Sequence, residues 1–184
     1  MTLWPAKPTG MAQKPDGIVL KRHRDLDGRD NHPWIRRGLL GLLAVGLLLG
    51  VLNVFGQRPA TSRAATPTAV LSVYAPTRVR GGLLYTARFH VSARNELKKA
   101  LLVLDSGWFE GMQVNSIVPS PVQEGSRNGR VVYELGHIAK GDSSILWIQF
   151  QVNPTNIGRR SQNVELDDGA QVISTIHRSI TVYP

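Results

Sequence analysis

Eighteen consecutive residues, Gly38 to Phe55, read GLLGLLAVGLLLGVLNVF and carry no charge. As a helix rising about 1.5 Å per residue, this stretch reaches about 27 Å, close to the hydrocarbon thickness of a bilayer. Lipid offers backbone amides and carbonyls no partners, so the segment has to be helical. A buried helix of a soluble domain normally keeps a polar face, and here the only polar side chain is Asn53. The sequence therefore predicts one transmembrane helix over residues 38–55.

The flanks orient it. The twenty residues before the span hold Lys21, Arg22, Arg24, Arg29, Arg36 and Arg37, whereas the twenty after it hold only Arg58 and Arg63. Positive charge stays on the cytoplasmic side, which puts the N-terminus inside and residues 58–184 outside the cell membrane. Trp34 and Phe55 stand near the two ends, as interfacial aromatics do. A cleavable signal has an apolar core of about 7–15 residues behind a short leader. The longer core and the 37-residue leader favour an uncleaved anchor, although the small residues 60–69 offer a cleavage site.

Gly46 and Gly50 form a GxxxG pair, and Asn53 falls on roughly the same helix face. Small residues admit a second helix at close range, and an intramembrane amide gains from a partner. These three residues point to association with another integral membrane protein or with a second copy of the chain.

The rest of the 184 residues divides around this span. Residues 1–37 carry eight basic and four acidic side chains, and residues 58–184 carry fourteen and nine, so the excess of 22 basic over 13 acidic groups makes no single basic patch. Asp25, Asp27 and Asp30 interrupt the basic run and argue against nucleic acid as a partner. The tail 1–37 contains prolines, glycines and no sustained apolar period, and is read as disordered, with its basic residues attracted to anionic headgroups. Residues 56–68 are small, polar and proline-bearing, which reads as an external linker.

From Ala69 onward the period becomes two. Along Leu83–Arg94, Leu83, Tyr85, Ala87, Phe89, Val91 and Ala93 point one way while Thr86, Arg88, His90, Ser92 and Arg94 point the other. Ile145–Val152 repeats the pattern with Leu146, Ile148, Phe150 and Val152 inward. Further strands fit Ala69–Tyr74, Ala100–Leu104, Gln113–Val118 and Val131–Leu135, with a long last one over Ala170–Tyr183. Turns fall at Arg80-Gly81-Gly82, Glu110-Gly111, Ser126–Gly129, Lys140-Gly141-Asp142 and Asp167-Asp168-Gly169. About seven short strands in residues 69–184 predict an all-β fold, an immunoglobulin-like β-sandwich. No cysteine occurs, so its core rests on aliphatic and aromatic packing.

Leu135-Gly136-His137-Ile138-Ala139-Lys140-Gly141-Asp142, followed by an alternating strand and Asn153-Pro154, resembles the LG-x-hydrophobic-x-x-G-[DE] signature of bacterial surface immunoglobulin-like repeats of the conserved-repeat and cell-adhesion-related types. The Gly-rich turn before the strand at Arg80–Phe89 and the segment Leu104-Asp105…Glu110-Gly111 are similar to other parts of those repeats. One departure is Ala93-Arg94-Asn95-Glu96, continuing into Lys98-Lys99, where an asparagine-rich turn is usual. The resemblance covers about residues 70–184 and implies a non-catalytic, extracytoplasmic binding or spacer domain, here in a single copy.

No pattern of an enzyme emerges. Without cysteine there is no thiol nucleophile and no cupredoxin-type or Cys-based metal site. No HExxH, GxSxG or phosphate-cradling loop occurs. His90, His137 and His177 stand in no metal-type spacing. Asp167-Asp168-Gly169 with Glu165 offers carboxylates for calcium, but such a set is more often a solvated turn. No cofactor is implied.

The surface candidates are aromatic. Adjacent residues of a turn cannot easily both be buried, so Trp108-Phe109 reads as a partner contact; the alternative is a cap on the open end of the sandwich. Trp147 lies between inward Leu146 and Ile148 and should face out. Together these features predict a single-pass membrane protein without enzymatic activity, acting as an accessory or assembly module of a membrane complex. The alternative is a cell-envelope or adhesive binding module.

Overall fold

A computed structural model describes residues 32–52, 54 and 56–184. Lys21, Arg22, Arg24, Arg29, Asn53 and Phe55, which carry parts of the membrane and topology readings, lie outside the described residues. The chain divides into two units, residues 1–46 and 47–184.

The helix α1 spans His32–Val51, starting before the uncharged stretch and ending short of it. Pro33 occupies its first turn, where a missing N–H costs nothing. Arg36 and Arg37 are therefore helical, and the Arg37 guanidinium lies 5.5 Å over the Trp34 ring one turn back. The helix is long and apolar enough to cross a membrane.

Thirteen strands follow: β1 Pro59–Ala65, β2 Ala69–Pro76, β3 Arg78–Arg80, β4 Leu84–Ala93, β5 Leu97–Leu104, β6 Met112–Val118, β7 Gln123–Arg127, β8 Arg130–Ile138, β9 Ser143–Val152, β10 Gly158–Ser161, β11 Val164–Asp168, β12 Gln171–Ile176 and β13 Ser179–Tyr183. They form a five-stranded sheet ordered β1-β2-β4-β9-β6, a second ordered β12-β11-β5-β8-β7, and a three-stranded one ordered β10-β13-β3. Every pairing is antiparallel except β13 with β3. Leu71, Phe89, Ile148 and Phe150 from the first sheet and Leu102, Leu104, Tyr133 and Leu166 from the second belong to one buried apolar cluster. This is an all-β sandwich.

The alternation on β4 and β9 holds: Tyr85, Ala87, Phe89, Val91, Leu146, Ile148, Phe150 and Val152 are all buried. Leu83 is exposed, because the strand begins one residue later. The hairpin between β7 and β8 turns on Asn128-Gly129, both at positive φ (52° and 74°), the geometry that a two-residue turn demands and that Asn and Gly adopt most readily.

Three expectations are corrected. Residues 56–68 are not all linker: Pro59–Ala65 is β1, paired along its whole length with β2. Its sequence, PATSRAA, lacks an apolar alternation because it sits at the sheet edge, half in solvent. The strand count is thirteen rather than about seven: besides β1 and the division of the last strand, β3, β7 and β10 are short polar pieces without a hydrophobic signal, and β11 ends in the Asp167-Asp168 pair read as a turn. The single last strand over Ala170–Tyr183 is two strands in different sheets, broken at His177-Arg178. There the backbone N–H of Arg178 donates to Asn163 Oδ1 (3.1 Å), and its carbonyl accepts from Gln162 N–H (2.9 Å). Its side chain turns inward and donates to the carbonyls of Ala75 and Pro76 at 3.1 and 2.9 Å.

Candidate functional site: the outward face of the first sheet

Side chains that face each other across an antiparallel ladder lie on the same side of the sheet. The registers Thr61↔Tyr74, Tyr74↔Arg88, Arg88↔Trp147 and Trp147↔Val118 therefore place five side chains in one outward row crossing all five strands. A second row reads Arg63, Ser72, His90 and Ile145, and a third contains Thr86, Gln149 and Ser116.

The centre of the first row is ordered by stacking. The Arg88 guanidinium lies 5.3 Å from the ring centroid of Tyr74 and 5.3 Å from that of Trp147. Two aromatic faces thus hold one planar cation from either side, an arrangement suited to the flat, weakly hydrated guanidinium. Tyr74 keeps 38% and Trp147 41% of its surface open, with Val118 and Ile145 exposed beside them. Among the described residues, no carboxylate or carbonyl accepts a hydrogen bond from Arg88, and it enters no ion pair. Trp147 faces outward, as its place between Leu146 and Ile148 required.

Charge is segregated between the two large sheets. No strand of the first contains an acidic residue, and its basic groups are Arg63, Arg88 and His90. The second carries Glu124, Glu134, Glu165, Asp167 and Asp168 beside Lys98, Lys99, Arg127 and Arg130. There the charges neutralise one another: Lys99 pairs with Glu134 (3.1 Å), Arg130 with Glu165 (3.0 Å), and Arg127 with both Glu165 (3.4 Å) and Asp167. Burial pushes the Asp167 carboxyl above its usual range, partly offset by the hydrogen bond from Arg127.

Trp108 is not a surface residue. It is completely buried, and it packs against Phe89 (5.1 Å) and Phe150 (5.7 Å) while its Nε1–H donates to Asn163 O at 3.2 Å. A 3₁₀ turn, Ser106–Trp108, folds the segment into the sandwich. Gly107 permits this, since a Cβ there would stand 1.9 Å from the Ser161 carbonyl oxygen. Phe109 is half-buried, 6.0 Å from Phe150, and also joins the core. Trp108 is thus a core residue, and Phe109 packs partly against that core.

On α1, Gly46 and Gly50 stand one turn apart, and a Cβ at either would meet nothing within 4 Å. The carboxylates of the calcium reading are engaged within the fold: Glu165 and Asp167 as above, and Asp168 Oδ1 by the Lys99 amide at 2.8 Å. His137 pairs with Glu96 at 2.9 Å. Among the described residues, no group of three or more His, Asp or Glu is placed to hold a metal ion.

No protein-family model matches the chain, and no curated protein matches it either. Solved structures to which it is similar include the C-terminal domain of wzt (12% identity, TM-score 0.40, covering 70% of this chain and 81% of that one). Others are a non-cellulosomal cohesin from Archaeoglobus fulgidus (13%, 0.38, 57% and 84%) and the chitin-binding domain of a chitinase from Pyrococcus furiosus (17%, 0.35, 60% and 97%). These likenesses are too distant to bear on what the chain binds.

Proposed function

We propose that this chain is a non-enzymatic binding module of the cell envelope. In this reading α1 anchors it in the membrane with the N-terminus inside, and an extracytoplasmic immunoglobulin-like sandwich engages the partner through the outward face of its first sheet. The observation that carries the reading is the row Tyr74–Arg88–Trp147: two half-open rings and a guanidinium with no hydrogen-bond acceptor among the described residues, aligned across three neighbouring strands. Exposed aromatic and arginine side chains are the residues that dominate recognition surfaces. An assembly role for α1 is a companion proposal, supported by the open faces of Gly46 and Gly50 and tested separately below.

Co-sedimentation tests the binding reading. The detergent-solubilised full chain should sediment with an insoluble envelope fraction prepared from cells lacking it. Trp147→Ala and Arg88→Gln should remain in the supernatant, while Lys98→Gln, on the second sheet, should sediment as the unaltered protein does. Sedimentation that ignores both changes on the first sheet would refute the assignment.

A further inference from the structure

We infer that the partner of the first sheet is an anionic polysaccharide, whose sugar rings stack on Trp147 and Tyr74 while its acidic groups bind Arg88. The inference rests on the binding-module reading above and names the chemistry of its ligand.

Three observations converge on it. The first is charge complementarity. The nine acidic residues that follow the span are Glu96, Asp105, Glu110, Glu124, Glu134, Asp142, Glu165, Asp167 and Asp168, and none lies on a strand of this sheet. The sheet's charged groups are Arg63 and Arg88, with His90 in the same row as Arg63. A negatively charged chain thus crosses the face without meeting a carboxylate on any of its strands, whereas the strands of the second sheet carry five acidic residues, of which only Asp167 is fully buried.

The second is the state of Arg88. An exposed arginine commonly finds an acidic neighbour; this one is stacked between two rings and keeps its guanidinium N–H groups free of protein acceptors among the described residues. The two rings flank the guanidinium, and Arg88 is itself exposed, so its donors are open to a ligand from solvent. That is a preorganised receptor for the two oxygens of a carboxylate or a phosphate.

The third is the direction of the row. Tyr74, Arg88 and Trp147 run across β2, β4 and β9, at right angles to the strands. Neighbouring strands are about 4.8 Å apart, so the two rings stand roughly 10 Å apart, a span that a disaccharide covers. An acidic peptide would use other features. Extended peptides add to a sheet edge and place alternate side chains in pockets. Here β4 is bonded on both sides, to β2 and to β9, and offers no free backbone. Planar side chains in a row favour a polymer of rings: sugar C–H groups carry partial positive charge and pack on the electron-rich faces of Trp and Tyr. Ser72, Thr86 and Gln149 flank the row with groups that exchange hydrogen bonds with hydroxyls.

The test uses the full chain in detergent and three immobilised probes: polygalacturonate, neutral dextran and poly-glutamate. At moderate salt the protein should be retained on polygalacturonate, with retention on the other two at least tenfold weaker. Arg88→Gln should reduce retention about tenfold or more, the loss of a charge-assisted hydrogen-bonding group. Arg88→Lys should recover only part, since it restores the charge without the planar fork. Trp147→Ala should lose retention while its unfolding midpoint stays near that of the unaltered protein, and Lys98→Gln should change nothing. Equal retention on poly-glutamate would assign the face to an acidic protein and overturn the inference, as would retention indifferent to Trp147→Ala. Absence of retention on polygalacturonate would also overturn it. If envelope sedimentation then still depended on Trp147 and Arg88, the binding-module reading would stand without this ligand class.

Discussion

The guanidinium of Arg178 lies 5.0 Å over the ring of Trp108, and both side chains are buried. A buried arginine is costly unless its charge is compensated. Here the compensation comes from an aromatic face and from the carbonyls of Ala75 and Pro76, and burial still depresses the Arg178 pKa to about 10. The pair joins three segments far apart in sequence: the end of β2, the 3₁₀ turn after β5, and the break between β12 and β13.

This pairing predicts unequal costs. Trp108→Ala removes the largest fully buried side chain and should destabilise the protein by about 3–5 kcal/mol. Arg178→Met keeps much of the volume, gives up two hydrogen bonds and also removes a desolvated charge, so its cost should be smaller, about 1–2 kcal/mol. Denaturant midpoints of the two variants check the order. A surface role for Trp108 would require its replacement to be nearly silent.

Strand phase on β9 is tested by neighbours. Phe150 is buried against Tyr85 and Trp108, and Phe150→Ala should cost about 3–5 kcal/mol. Gln149→Ala, on the opposite face, should stay within about 0.5 kcal/mol. Equal unfolding midpoints for the two would mean that the strand faces are misassigned.

The legible part of the fold was the part with apolar alternation. β4 and β9 announce themselves because every second residue is buried and the rest are not. β1, β3, β7 and β10 do not, because edge and connector strands are stabilised by ladder hydrogen bonds that leave no mark on side-chain polarity. The burial of Trp108 is not legible in the sequence for a different reason. Whether a turn folds inward depends on Gly107 meeting the Ser161 backbone, a contact across more than fifty residues. The candidate site was half legible. Alternation placed Arg88 and Trp147 on outward faces, but only the β2-β4-β9 register, between strands not consecutive in the chain, aligned them with Tyr74.

The second sheet carries a pH dependence. Burial, reinforced by Glu165, raises the folded-state pKa of Asp167 above its ordinary 3.8, against the opposing pull of Arg127. The folded protein then holds this proton more tightly than the unfolded chain does. As pH rises through 3.8 the unfolded state ionises first, so the Asp167 contribution to stability declines until the folded carboxyl has ionised as well. Asp167→Asn should therefore flatten the stability profile in the window just above pH 3.8, as read from urea midpoints at a series of pH values. A profile unchanged by the substitution would assign the dependence to other groups.

Topology is accessible to chemical labelling. The basic asymmetry around the span, six residues before against two after, predicts that a cysteine at Ser126 reacts with a membrane-impermeant maleimide on intact cells. A cysteine at Thr9 should react only after permeabilisation. The chain has no cysteine of its own, so either signal is unambiguous. Labelling at position 9 in intact cells would invert the orientation and place the aromatic face in the cytoplasm.

Association through α1 is separable from recognition by the sheet. A leucine-rich helix gains little by exchanging lipid for another leucine surface, so helix pairing has to come from close approach. Gly46 and Gly50 leave the backbone uncovered on one side. Replacing both with isoleucine keeps the helix apolar and fills that side with branched side chains. The double substitution Gly46→Ile with Gly50→Ile should therefore leave membrane insertion intact and abolish any complex that detergent extraction and crosslinking detect for the unaltered protein. Retention on polygalacturonate should be unaffected, because the binding row lies on β2, β4 and β9. A complex that survives the double substitution would remove α1 from assembly and leave the sandwich as the element that holds the partner.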